Sequence, residues 1–180
     1  MRLFLRLSLA AFGLILLSAF HIGIAFILPY PWSKLNIIFV LLIILLFWWD
    51  SGYIIWLSFF TNLIIELYAT TPFGILLFSG TISMLAAFWL YKYLFTNRSW
   101  YAAAGLGFLT IIIYRVFYLL GFLFPKITGM VAVWPWQNIL ITLVWELIFS
   151  VPAVALLYFV ISRFSRKLKT ARVKSALFKV

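Results

Sequence analysis

Long apolar segments separated by short polar breaks make up most of the chain. A helix that crosses a bilayer needs roughly 20 apolar residues. By this criterion the pattern predicts six spans, at 7–33, 35–49, 53–68, 73–95, 100–124 and 137–161. Residues that end helices or stay in water, such as Gly, Pro, Asp, Asn, Lys and Arg, fill the breaks. We therefore predict an all-α integral membrane protein, with a six-helix transmembrane domain over 1–162 and a basic tail over 163–180.

The second and third segments are the shortest. As a helix, 35–49 reaches only about 22 Å at 1.5 Å per residue. It can extend into neighbouring residues or thin the bilayer locally. The alternative is that 35–49 and 53–68 form one bent or re-entrant element, with its hinge at Asp50-Ser51-Gly52.

Composition supports the membrane assignment. The chain is 67% hydrophobic and only 9% charged, whereas soluble domains are about a quarter charged. Cysteine is absent, which excludes a disulfide framework and a thiolate metal site. The first segment has a basic start, but its apolar run is longer than that of a typical signal peptide. We therefore predict an uncleaved first span.

The charge distribution predicts the orientation. The net charge is +11, and no nucleic-acid motif accompanies it, so nucleic-acid binding is not expected. With six spans, the N-terminus, Lys92, Arg98 and the tail 163–180 lie on one side, and the opposite loops hold only Lys34 and Lys126. Because basic residues concentrate in the cytoplasm, both termini are predicted to be cytoplasmic, with the tail on anionic membrane lipids.

Few residues could carry out chemistry. The acids are Asp50, Glu66 and Glu146, and His21 is the single histidine. No hydrolase, phosphate-binding or metal-ligand motif is present. We therefore expect no catalytic residues, no metal and no cofactor, and interpret the chain as not being an enzyme. His21 is expected to be a neutral imidazole bonded to a neighbouring helix rather than a proton relay.

Arg115 and Glu146 lie within the fifth and sixth predicted spans. Each is nine residues from the end of its span on the same side of the membrane, so antiparallel spans would place them at similar depth. An unpaired charge there costs about 2.5–3.5 kcal/mol, which predicts a hydrogen-bonded pair. Such a pair could be a structural clamp, or it could line a cavity or contact a partner's helix. Both interpretations stay open.

The segment between the third and fourth spans combines polar residues with a proline and a glycine. Pro72 cannot donate a backbone hydrogen bond, so the third span should end near Tyr68 and the fourth should begin at or just after Pro72. Thr70 or Thr71 is expected to cap the fourth span. Glu66 should reach the start of that helix or interfacial water.

The stretch "NLIIELYATTPFGILLF" resembles the most recognisable segment of the MreD family of rod shape-determining membrane proteins. That segment has an acidic residue in an apolar run, a short polar stretch, and then Pro-hydrophobic-Gly opening the next helix. Glu66, Pro72 and Gly74 stand at these positions, although the family more often has Asp in place of Glu66. Chain length, the six-span plan and the basic tail agree as well.

The resemblance implies a function without catalysis. MreD-like proteins act in lateral cell-wall growth in the bacterial cytoplasmic membrane, with MreC, the actin-like MreB, the glycosyltransferase RodA and a class B penicillin-binding protein. The chain would be a scaffold that docks partner transmembrane helices, with Glu66, Pro72 and Gly74 shaping the hairpin. The fold implied is a bundle like the substrate-binding subunits of energy-coupling-factor (ECF) vitamin transporters.

Two alternatives follow. The first is that the chain is itself a substrate-binding subunit of an ECF-type vitamin transporter. It predicts an outward-facing pocket between helices, for which the sequence offers Trp134, Trp136, Gln137, Asn138 and Glu66. The second is a membrane enzyme or lipid-handling protein, which the few titratable residues disfavour.

Overall fold

The computed structural model describes residues 2–97, 99–129 and 136–177, with side chains described over 13–164 of these ranges. Within them all regular secondary structure is helical. The helices are α1 (Arg2–Ile27), α2 (Ile37–Trp49), α3 (Tyr53–Glu66), α4 (Ile75–Tyr93), α5 (Trp100–Gly121), α6 (Leu123–Ile127) and α7 (Trp136–Leu177), with one 3-10 turn at Trp32–Lys34.

The long helices α1 to α5 and α7 overlap the six predicted segments, but α1 ends at Ile27, before the predicted limit at residue 33. Among the residues whose side chains the structure describes, three helical stretches are long and apolar enough to cross a membrane: Ile75–Tyr93, Trp100–Ile127 and Trp136–Phe164. Within the same part of the chain, Ile37–Trp49, Tyr53–Glu66 and the described portion of α1, Gly13–Ile27, are shorter apolar stretches. The chain is thus a helical protein suited to a membrane. The backbone of α7 continues as a helix from the sixth predicted span through most of the predicted tail.

The helices pack as an antiparallel bundle. Helix α5 lies between α4 and α7, and α3 packs on α4 and on α1. The antiparallel course of α5 and α7 is visible in two contacts: Arg115 meets Glu146, and Gly107 approaches Val154. The loops 28–36 and 67–74 therefore lie at one end of the bundle, and the loop 50–52 and the residues 94–97 lie at the other.

Helix α2 forms the centre of the core. It is apolar throughout its 13 residues, and most of them are buried, as expected for a helix without a polar face. Leu42, Ile43 and Leu46 have no exposed surface, and α2 contacts α3, α5 and α7. At about 20 Å it is short for a span. It ends at Asp50, whose φ of 50° is left-handed, so α2 and α3 are two separate helices joined by a tight turn.

A polar contact joins α3 to α4 inside the bundle. Ser58 Oγ donates to the carbonyl of Gly80 at 3.1 Å, and Asn62 Nδ2 donates to the carbonyl of Ser58 at 2.8 Å. The Asn62 amide lies where a side chain on Gly80 would project. The absence of a Cβ at position 80 therefore allows these two helices to approach closely.

We expect Gly80→Ala to destabilise the protein. The added methyl must displace the hydrogen-bonded Asn62 amide, and overpacking of this kind costs about 1–3 kcal/mol, more than the gain of about 1 kcal/mol in helix propensity. The measurement is thermal unfolding in detergent. Gly23→Ala is the control, because its new methyl meets nothing within 4 Å. Adding Asn62→Ala to Gly80→Ala should restore part of the lost stability. Equal stability of the Gly80→Ala and Gly23→Ala variants would contradict this account.

Candidate functional site

The predicted pairing of Arg115 with Glu146 is confirmed. Arg115 Nε donates to Glu146 Oε2 at 2.6 Å, and the two side chains are 15% and 1% exposed. The guanidinium also lies 5.1 Å from the ring centre of Tyr114 and 5.5 Å from that of Tyr118. These distances suit cation–π attraction, so the buried cation is stabilised by one carboxylate and two aromatic rings.

Asn36 joins this pair to α2. Its Nδ2 donates to Glu146 Oε1 at 2.5 Å, and its backbone N–H donates to Ser150 Oγ at 2.9 Å. Its Oδ1 accepts from the N–H of Phe39 at 3.2 Å and so caps α2, as Asn often does. Glu146 and Ser150 are one turn apart on α7, so one face of α7 accepts both hydrogen bonds from the start of α2.

Sequence reasoning missed Asn36 and Ser150. Asn36 directly precedes the apolar run of α2, which is the usual signal of a helix N-cap. That signal predicts only that Asn36 caps α2, not that it contacts α7. The contact with α7 joins residues more than 100 positions apart, and no local pattern indicates it.

A cavity of about 450 Å³ opens beside the ion pair. It lies between the 3-10 turn, the last turns of α5 and the first turns of α7. Its polar wall includes Lys34, Asn36, Arg115, Tyr118, Asn138 and Glu146, and its apolar wall includes Leu35, Phe122 and Ile139. We call it the main cavity. A small cavity of about 80 Å³ shares His21, Asn36 and Tyr114 with it.

His21 differs from expectation. It lines both cavities, and its Nδ1 is buried without a hydrogen-bond partner among the described residues. The hydrogen bond to a neighbouring helix that was expected for this imidazole is therefore not formed through Nδ1. The imidazole instead presents a polar ring to the cavities.

Glu66 connects the end of α3 to the start of α4. Its Oε1 accepts from the N–H groups of Gly74 at 3.0 Å and Leu76 at 3.4 Å, and its Oε2 accepts from Leu77 at 2.5 Å. The first N–H groups of a helix have no partner within the helix, and their dipoles favour a negative charge. Glu66 therefore does what was expected of it, although it is only 3% exposed.

The expected threonine cap of α4 is wrong. Gly74 is the N-cap residue, with a φ of 98°, and Thr71 Oγ1 is buried without a hydrogen-bond partner in the described ranges. Pro72 precedes the cap instead of standing in the first helical turn. The left-handed φ explains the glycine, since other residues rarely adopt it. The carboxylate of Glu66, at the end of α3, takes over the role given to Thr70 or Thr71.

The structure thus separates the candidate residues into two places. Glu66, Pro72 and Gly74 form the hairpin between α3 and α4, while Arg115 and Glu146 line the main cavity. Of the described side chains suggested for a ligand pocket, only Asn138 lines this cavity; Glu66 is in the hairpin and Trp136 is 47% exposed. Gln137 is also exposed, and Trp134 lies outside the described residues.

Comparisons with protein-family models, curated proteins and solved structures find no significant match. Across the described ranges, no group of three or more His, Cys, Asp or Glu side chains is arranged to hold a metal ion. The site's chemistry therefore has to be argued from its own side chains.

We expect Arg115→Leu alone to lower the folded yield more than Arg115→Leu combined with Glu146→Leu. The single variant leaves Glu146 buried without its cation, a state that costs several kcal/mol, while the double variant removes both charges. Size-exclusion chromatography of the detergent-solubilised protein measures the yield. A double variant no better than the single one would show that the pair does not act as a unit.

Glu66→Gln should destabilise the hairpin by about 1–2 kcal/mol, because the amide has one acceptor oxygen and no charge to offer three N–H groups. Hydrogen exchange at Leu76 and Leu77 should speed up. Asp50→Asn, at the opposite end of the bundle, is the matched control for loss of a carboxylate. Unchanged exchange at Leu76 and Leu77 in Glu66→Gln would refute the capping role.

Proposed function

We propose that the chain is a scaffold of the MreD type, without catalytic activity, in the bacterial cytoplasmic membrane. In this proposal all six long helices cross the bilayer and both termini are cytoplasmic. The proposal also gives the bundle the architecture of ECF substrate-binding subunits. The chain docks the transmembrane helices of the cell-wall elongation machinery, an MreC-like protein among them.

The observation that carries this proposal is the hairpin between α3 and α4. Glu66, Pro72 and Gly74, on which the resemblance rests, occupy one structural unit: the carboxylate caps α4 across the turn, and Gly74 supplies the left-handed residue. A hairpin fixed in this way presents a rigid face. On α3 that face carries Trp56 and Phe60, which are 63% and 45% exposed and can pack against a partner's helix in lipid.

Co-purification tests the proposal. The tagged chain, solubilised from native membranes, should retain MreC-like and other elongation proteins identified by mass spectrometry. Trp56→Ala should lower their recovery severalfold, while Trp89→Ala, an equally exposed tryptophan on α4, serves as the control for loss of a ring. Recovery without any elongation protein, from membranes that contain them, would end the scaffold proposal.

A second candidate function is favoured by the main cavity. Its volume of about 450 Å³ lies within the range of roughly 300–1,000 Å³ typical of small-molecule sites. Its lining of aromatic, amide and charged side chains supports a substrate-binding subunit of the ECF type. A rise in the thermal unfolding temperature with one member of a vitamin panel would favour this function, and no rise with any member would count against it.

A further inference from the structure

Several groups that line the main cavity and have no partner among the described residues are hydrogen-bond donors. Arg115 uses Nε for Glu146, and its two terminal amino groups make no hydrogen bond in the described part of the chain. The same holds for the side chain of Lys34, which lines the cavity. In contrast, both oxygens of Glu146 already accept hydrogen bonds, from Arg115 and Asn36. The cavity therefore offers free donors to a ligand, while its one carboxylate has both oxygens occupied.

Two hydroxyl groups add to these donors. Tyr114 and Tyr118 line the cavity, and neither hydroxyl has a hydrogen-bond partner within the described ranges. A phenol can donate to an anion. Their rings already pack along Arg115, so the hydroxyls and the guanidinium belong to one wall.

The charge of the lining selects a monoanion. Lys34 and Arg115 are cations and Glu146 is an anion, which leaves one uncompensated positive charge when His21 is neutral. A single negative charge balances it. A phosphate monoester would bring a second negative charge close to Glu146, and like charges at short range in a poorly solvated site repel strongly.

The remaining wall is apolar. Leu35, Phe122 and Ile139 line it, and Phe122 packs edge-on against Tyr118 with 5.2 Å between ring centres. Removing apolar ligand surface from water at such a wall is favourable. The cavity thus fits a molecule that is charged at one end and apolar at the other.

We propose that the main cavity binds a monocarboxylate carried on an apolar body. The carboxylate accepts hydrogen bonds from the terminal amino groups of Arg115, whose planar fork suits carboxylates, and from Lys34. The body packs against Tyr118 and Phe122. This inference rests on the second proposed function for placing a ligand in the cavity, and it requires no transport. The carboxylate can belong to a water-soluble aromatic acid or to a fatty acid of the membrane.

Equilibrium dialysis of the full chain in lipid nanodiscs tests the proposal. Indole-3-acetate and laurate are the two probes, and their neutral amides, indole-3-acetamide and lauramide, are the matched controls. At least one carboxylate should bind about tenfold or more tightly than its amide, as expected when a charge-assisted interaction of about 1.4 kcal/mol is lost. Preference for indole-3-acetate identifies the soluble source, and preference for laurate identifies the lipid source; either result supports the proposal.

Variants locate the binding site without disturbing the buried pair. Lys34→Gln should weaken carboxylate binding severalfold, while Lys92→Gln makes the same charge change at the opposite end of the bundle and should leave it unchanged. Tyr118→Phe should weaken binding by a smaller factor, because it removes a hydroxyl and keeps the ring.

Two results would overturn the inference: equal binding of both carboxylates and their amides, or equal effects of Lys34→Gln and Lys92→Gln. Carboxylate binding that depends on Lys34, together with no stabilisation by any vitamin, would reject the transporter function and keep the cavity as a carboxylate site. Stabilisation by a vitamin without a preference for carboxylates would keep the transporter function and reject the carboxylate site.

Discussion

A charge buried in an apolar bundle has to be paired, and the arrangement of α2, α5 and α7 follows from that requirement. Arg115 on α5 and Glu146 on α7 neutralise each other at 2.6 Å, and Asn36 at the start of α2 takes the second carboxylate oxygen. Separating any of these helices would leave a buried charge without its partner, which is strongly destabilising. The network therefore fixes the depth of three helices relative to one another, while the apolar contacts around α2 supply the bulk of the burial.

Glu66, a second buried carboxylate, also joins two helices through hydrogen bonds, but its donors are backbone N–H groups. The end of α3 and the start of α4 meet in a short turn, where the first N–H groups of α4 need acceptors. Glu66 supplies them from inside the bundle, so the turn requires no threonine cap. Both carboxylates thus serve as cross-links between helices. Glu66 is wholly used in this way, whereas the network around Glu146 leaves donors of Arg115 free beside the main cavity.

This difference separates the two functional proposals in space. Docking of partner helices relies on the rigid hairpin and the exposed side of α3. Ligand binding relies on the main cavity between the 3-10 turn, α5 and α7. Because the two places use different residues, one protein can hold both properties. A ligand in the cavity would contact Lys34 and Arg115, close to the start of α2, and would thus act on the centre of the bundle.

The sequence by itself determined the number and the approximate limits of the long helices, because apolar runs and helix-breaking residues are local signals. It also determined that Arg115 and Glu146 would pair, because the two charges lie at similar depth in antiparallel spans and each can be neutralised by the other. Only the tertiary structure decided that Asn36 and Ser150 complete this network, that His21 Nδ1 meets no partner among the residues the structure describes, and that Glu66 rather than a threonine caps α4. Those outcomes depend on which side chains meet across the bundle. These contacts depend on how each helix is rotated and packed against its neighbours, which no local sequence pattern specifies.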